Sequence, residues 1–269
     1  MTTRRGRKMM KSESVPAQSA SSAKVDTMLG AAQTTNKPKS SDISPGPGFR
    51  VRCTVDRPPE SLIAGFDAFE STDISDALNR LYTMGATIHN VVSDAPLLGP
   101  ACTVKVYPGD NLMVHKALDV ARPGDVIVVD GSGSLNAAVI GDLVANKARH
   151  RGIAGFVIDG LVRDLPGLRE CGMPVYARGV TPFGPLHRGP GEINHAVSCG
   201  GIVVNPGDII RADPSGVTVV PRLWAGEILK RLTAGRERQA AYVANVKRGQ
   251  FSNAWVDDLL EAAGCIFDD

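Results

Sequence analysis

Residues 123–129 read Pro-Gly-Asp-Val-Ile-Val-Val, and residues 153–158 read Ile-Ala-Gly-Phe-Val-Ile. Each is a short apolar run, rich in β-branched residues and opened by turn chemistry, which suits a strand covered on both faces. The intervening residues predict a helix that ends near Arg149. Strand, helix and strand make a βαβ unit, whose two strands run parallel through a right-handed crossover.

Outward from this unit the pattern stays mixed. Pro-Gly-Asp recurs at 108–110 and 206–208, each time as a turn before an ordered element. Leu98-Gly99-Pro100 leads into a strand from Ala101 to Val106. Ile209-Ile210, the Pro214-Ser215-Gly216 turn and Val217 to Val220 read as a hairpin, so the sheet is mixed. Asp73 to Asp76 predict a cap for a helix through Ala77, Leu78 and Leu81. The C-terminal region predicts a helix from Trp224 to Lys247 and a short one near Trp255–Ala263.

Residues 1–48 form a basic, serine-rich tail with no periodic apolar face, and are expected to be disordered. The first fifty residues hold nine Lys/Arg against three acids, and the remainder 21 against 25. The body is therefore mildly acidic and offers no broad face for direct nucleic-acid binding. The tail reads either as a targeting segment or as a solvated extension, and it lacks the apolar stretch of a secretory signal. Residues 49–269 form the folded domain. No apolar run is long enough for a membrane span. Five scattered cysteines without a C-x-x-C pair point to a reducing compartment such as the cytoplasm, with each cysteine a small buried hydrophobe.

Gly131-Ser132-Gly133 follows a strand and predicts a loop where open α/β sheets place ligands. It is no dinucleotide fingerprint, because the sixth position is Asn136. Further on stand Gly141-Asp142-Leu143-Val144 and, after the next strand, Arg163-Asp164. Twenty residues separate Asp142 from Arg163. Taken alone, Arg-Asp after a strand reads equally well as a surface pair capping the next helix.

The D-X20-R-D spacing resembles the signature of class II pyruvate aldolases, on the scaffold of the regulator of ribonuclease activity A family. Ser75-Asp76-Ala77-Leu78, Gly99-Pro100-Ala101, Gly109-Asp110-Asn111 and Gly200-Gly201-Ile202 are also similar to that family. The resemblance runs from about Ser61 to Arg222. It implies an α/β fold, a mixed-sheet β/β/α swivelling-type single domain that is oligomeric, as a homotrimer or homohexamer. It implies a lyase that cleaves a 4-hydroxy-2-oxo acid to pyruvate and an oxo acid, and that decarboxylates oxaloacetate through the same enolate. The alternative within the family is a non-catalytic inhibitor of a ribonuclease.

By the same resemblance Asp164 holds Mg2+ or Mn2+, and Arg163 forks to the keto oxygen and carboxylate of the 2-oxo acid. Asp142 orients a water as proton acceptor for the substrate hydroxyl. Gly141 opens a helix whose Leu143 and Val144 N–H groups face the substrate carboxylate. Asn111 joins the pocket, and His115 stands either there or on a plain helix face. His187 and His195 lack the spacing of a metal pair. Glu237, or Gln239 in its register, completes the site of a neighbouring subunit.

Overall fold

A computed structural model describes residues 42–268, so most of the tail expected at 1–48 lies outside the described residues. The strands are β1 (Phe49–Val51), β2 (His89–Asn90), β3 (Leu97–Val106), β4 (Val126–Ile140), β5 (Gly155–Val162) and β6 (Val175–Val180). They continue as β7 (Gly191–Ile193), β8 (Val197–Cys199), β9 (Ile202–Val204), β10 (Ile209–Asp213) and β11 (Gly216–Val220). The helices are α1 (Glu60–Ala64), α2 (Ser71–Ala77), α3 (Leu112–Val120), α4 (Asp142–His150), α5 (Leu165–Cys171), α6 (Ala225–Lys247) and α7 (Ala254–Ala262).

The main sheet runs β1-β7-β3-β4-β5-β6-β2, with the β10–β11 hairpin paired to β3. Strands β3 to β6 are parallel, while β7 and β10 meet β3 antiparallel. The run 126–129 explains the layering. Ile127 and Val129 pack with Val114, Ala117, Val144, Ala145 and Leu168 from α3, α4 and α5. Val126 and Val128 face the other way, onto Val197, Val204, Ile210 and Val219 of β8–β11. Period-two alternation thus sends alternate side chains into two cores, giving a β/β/α stack. Each fully buried Val or Ile stabilises this stack by roughly 1.5–3 kcal/mol. A third cluster joins α2 to the root of α6 through Phe66, Ile74, Leu78 and Ile228.

Three expectations need correcting. Residues 131–134 are not a loop: β4 continues through them to Ile140, with register shifts against β5 and positive φ at Ser132 and Gly133. The helix expected from Asp73 starts at Ser71, because Glu70 is the N-cap and Asp73 the N3 partner of a capping box. It ends at Ala77, where Asn79 and Arg80 turn left-handed and leave Leu81 exposed. The cysteines are all unpaired, but only Cys102, Cys171 and Cys199 are buried, while Cys53 and Cys265 are exposed. Burial pushes the Cys102 thiol up to about 12, which fits a packing role. Among the described residues, no helix is long and apolar enough to cross a membrane.

Candidate active site

Parallel neighbours β4 and β5 end side by side, and Gly141-Asp142 and Arg163-Asp164 follow their carboxyl ends. The twenty-residue spacing is one helix, one turn and one strand, and it brings two sequence-distant acids to one rim. There Asn111, Gly141, Asp142, Leu143, Val144, Arg163 and Asp164 line a single cavity of about 180 Å3. His115, Lys147, Pro185 and His187 complete its wall. Every residue expected from the sequence at one chain's site is in this cavity. Glu237, on the distal part of α6, is not among its lining residues.

Three glycines leave room for the acidic and basic groups. A Cβ on Gly141 would collide with Asp164 Oδ2 and come within 3.1 Å of Arg163 Cγ. One on Gly167 would fall 2.5 Å from Asp142 Oδ2 and 2.7 Å from its Cβ. One on Gly184 would collide with Arg163 Nη1. Backbone strain adds to this close packing. Asp164 has φ 56° and ψ 44°, the left-handed region, and its side chain makes no capping hydrogen bond to α5. A non-glycine residue held there costs roughly 1–3 kcal/mol, and such strain collects at functional sites.

Arg163 and Asp164 are half-exposed, at 40% and 44% of the side chain. Arg163 Nε lies 3.2 Å from Asp164 Oδ2, an ion-pair distance, yet the buried Nε has no hydrogen-bond partner among the described residues. Distance alone makes the pair, and poor alignment leaves the N–H unspent. Asp164 stands at the N-cap position of α5 without a side-chain capping hydrogen bond, and the pair is not a closed bidentate bridge.

At the start of α4, Leu143 N–H donates to Asp142 Oδ1 at 2.7 Å. Asp142 thus sits over the helix N-terminus, and the two N–H groups expected to face a substrate carboxylate are not equivalent. Val144 precedes the first intrahelical bond, from Ala145 N to Gly141 O, so its N–H has no acceptor four residues back.

The opposite wall is assembled from a distant loop. Asp110 accepts from the N–H groups of Leu112 and Arg188, and Leu186 exchanges backbone bonds with Gly109 and Asn111. This stitching carries His187 to Asn111. Asn111 Nδ2 donates to Val139 O at 2.8 Å, which fixes the amide and leaves Oδ1 as an acceptor. His187 Nδ1 lies 2.6 Å from that Oδ1 and must donate, so a neutral His187 presents Nε2 as a lone pair. The His115 ring meets His187 edge to face at 5.5 Å. Burial, then the charges of Lys147 and His187, hold the His115 pKa below its ordinary value.

His187 and Lys147 were not anticipated as pocket residues. Lys147 had a legible signal, because it follows Leu143 by one helical turn on the same face. His195 stands apart, with Nδ1 3.5 Å from Arg52 Nη2. No group of three or more His, Cys, Asp or Glu able to hold a metal exists among the described residues. A cation that keeps most of its waters needs only one or two carboxylates. Asp164 beside the gap at Gly141 fits that minimal demand.

The model of the RraA-like family, described as Aldolase/RraA, matches residues 71–219 and so spans the whole cavity. A relative from Halalkalibacterium halodurans, provisionally named 4-hydroxy-4-methyl-2-oxoglutarate aldolase, is 42% identical over 63% of this chain and 81% of its own length. Among solved structures, Streptomyces coelicolor RraAS2, described as an unusual member of the RNase ES inhibitor RraA family, superposes with a TM-score of 0.64 at 28% identity. That match covers 71% of this chain and 99% of RraAS2. The RNA-processing inhibitor RraA from Thermus thermophilis superposes with a TM-score of 0.54 at 32% identity, over 57% of this chain and 93% of that one.

Proposed function

Because the chain belongs to the RraA-like, Aldolase/RraA family, we propose that it is a pyruvate-forming lyase acting on a 4-hydroxy-2-oxo acid and on oxaloacetate. The observation that carries this reading is the glycine cradle around Asp142, Arg163 and Asp164. A protein-docking surface has no need of three missing Cβ atoms aimed at three charged side chains.

Arg163 binds the 2-oxo acid end, its planar fork matching the carboxylate and keto oxygen. Asp142 accepts the proton of the substrate hydroxyl through an ordered water. The C3–C4 bond then breaks, its electron pair passing to C3 and on to the keto oxygen of the pyruvate enolate. The departing carbon leaves as an oxo acid, and a proton delivered to C3 gives pyruvate. With oxaloacetate the same bond breaks and CO2 leaves, so one enolate-stabilising site serves both substrates. A divalent cation held by Asp164, Mg2+ or Mn2+, supplies Lewis-acid stabilisation of the enolate charge when bound. The Val144 N–H, at the positive end of α4, offers a further donor to the substrate carboxylate. Assembly as a homotrimer or homohexamer would let Glu237 of one copy serve the cavity of another.

The structural likeness to RraA inhibitors favours one second reading, a non-catalytic ligand of a ribonuclease. Pyruvate release from oxaloacetate and from 4-hydroxy-4-methyl-2-oxoglutarate, measured with and without magnesium, separates the two. Turnover that needs the metal supports the lyase. Absence of turnover with both substrates, together with inhibition of a ribonuclease, supports the regulator.

A further inference from the structure

The cavity of the candidate active site is lined by two cationic side chains, and the proposed bond breaking uses only one of them. Arg163 takes the 2-oxo acid end, whereas Lys147 has no part in that step. Lys147 follows Leu143 by one turn of α4. Side chains on a helix lean toward its N-terminus, so the Lys147 stem runs back toward the Gly141–Asp142 end, where the cavity lies. The two acids of the cavity are engaged elsewhere. Asp142 Oδ1 accepts from Leu143 N–H at 2.7 Å, and Asp164 Oδ2 stands 3.2 Å from Arg163 Nε. Among the described residues the Lys147 ammonium has no ion pair or hydrogen bond.

The charge of Lys147 is nonetheless felt inside the cavity. After burial it is the next cause of the low His115 pKa, ahead of His187. His115 is thereby held neutral at pH 7, and its ring meets His187 edge to face at 5.5 Å. The part of the wall formed by His115, Lys147 and His187 therefore presents an ammonium and no carboxylate. A lysine in the last turn also complements the α4 dipole, but Arg149 and His150 stand in that turn as well, and neither lines the cavity. The volume of about 180 Å3 equals roughly six waters at ~30 Å3 each, which suits a short-chain acid.

We propose that Lys147 is a specificity-determining residue of this site: it binds a second carboxylate, carried on the fragment that departs as the oxo acid. The substrate class named here rests on the lyase reading. That carboxylate keeps its charge in substrate, transition state and product, so Lys147 holds all three alike. Its contribution falls on KM and not on kcat. Oxaloacetate differs, because its second carboxylate is itself lost as neutral CO2, and a cation fixed to it would oppose that loss. A 4-hydroxy-2-oxo diacid with a five-carbon backbone carries the carboxylate one carbon farther from the keto group, on the fragment that survives. Lys147 thus favours dicarboxylic 4-hydroxy-2-oxo acids over their monocarboxylic counterparts.

Binding of two acids that cannot be cleaved tests this without turnover. 2-Oxoglutarate and 2-oxopentanoate share a five-carbon 2-oxo acid backbone and lack the 4-hydroxyl. They differ in the second carboxylate, which 2-oxopentanoate replaces with a methyl. Calorimetry on the full-length protein, with magnesium present, gives the ratio of their Kd values. Wild type should prefer 2-oxoglutarate by about tenfold or more, as for a hydrogen bond to a charged group. Lys147→Gln should bring the ratio close to one, and Lys147→Arg, which retains the charge, should keep most of the preference. A lysine that served only the helix would alter both affinities together and leave the ratio where it was. The same ratio in Lys147→Gln as in wild type, no preference in wild type, or no binding of either acid would overturn the proposal. The lyase reading stands or falls separately on pyruvate release. A Lys147-dependent preference without pyruvate from any substrate would keep the carboxylate site and remove only the lyase.

Discussion

The Asp142 carboxylate occupies the space that a side chain at Gly167 would fill: an added Cβ would lie 2.5 Å from Oδ2 and 2.7 Å from the Asp142 Cβ. Gly167 sits inside α5 with no positive φ, so its own backbone does not require glycine. Helix propensity alone predicts that Gly167→Ala stabilises by about 1 kcal/mol. The collision reverses that sign, since overpacking costs roughly 1–3 kcal/mol and α4 must move away from α5. Displacing Asp142 by about 1 Å should lower kcat/KM for oxaloacetate by ~100-fold. Gly226→Ala, where a Cβ meets open space in α6, is the control and should leave turnover intact. Equal activity in the two variants would mean that the cradle does not position Asp142.

Arg163→Lys keeps the charge and loses the planar fork. Losing a contact made mainly to the enolate should cost ~3 kcal/mol, on the order of a hundredfold in kcat/KM, with the fold unchanged by circular dichroism. Asp164→Ala should abolish Mn2+ binding, measured directly by calorimetry or electron paramagnetic resonance, together with activity. Relief of the left-handed φ is not expected from this change, because alanine is strained there too. Asp142→Asn should leave the metal bound and slow turnover. EDTA should silence the wild type, and magnesium should restore it. Wild-type rates in all three variants would reduce Arg163 and Asp164 to a structural pair.

Much of this is legible in the amino-acid sequence. Parallel β4 and β5 are readable because Val126–Val129 and Phe156–Ile158 are apolar on both faces, and D-X20-R-D spans one helix, one turn and one strand. The irregular part of β4 is not. Gly131 and Gly133 are turn formers by local chemistry, and only pairing with β5 keeps the chain in the sheet. Short strands such as β1 and β7 carry too few residues for a period to show. Gly184 gave no signal, because what makes it necessary is Arg163, brought against it by the fold. His187 was hidden for the same reason: Asp110 holds its loop from 78 residues away.

Lys147→Gln should raise the His115 pKa without returning it to the ordinary value. Burial is the larger cause of the depression and survives the substitution, while the like charge is removed. The stability linked to His115 follows from the sign of the shift. A histidine depressed on folding contributes fully above its unfolded pKa of about 6.5, and that contribution is lost as pH falls through the lower folded value. Titration of the His115 ring by NMR in both proteins measures the shift. A lower or unchanged value in Lys147→Gln would contradict the placement of the ammonium beside the ring.

Asp213 gives the clearest test of acid sensitivity, at a buried position remote from the cavity residues. Burial pushes its carboxyl up. The N–H and hydroxyl of Ser71, at 2.6 and 2.8 Å, the Ser215 N–H at 2.8 Å and the Arg211 charge outweigh that and hold it below the usual carboxylate range. These bonds tie the β10–β11 turn to the first turn of α2, on the far side of the sheet from α4. Asp213→Asn removes the charge and turns an NH2 toward groups that are themselves donors. The cost at pH 7 should be about 1.5–3 kcal/mol, as for hydrogen bonds to a charged group. At ~2–4 °C per kcal/mol for a domain of this size, the melting temperature should fall by roughly 3–12 °C. Because the folded pKa is depressed, the advantage of aspartate is present above the unfolded value of about 3.9 and is lost as pH drops through the folded one. The difference in melting temperature between wild type and Asp213→Asn should therefore be constant from pH 7 to about 5 and narrow below pH ~4. A gap that stays the same width down to pH 3 would show that the carboxylate charge contributes nothing to the α2 anchor.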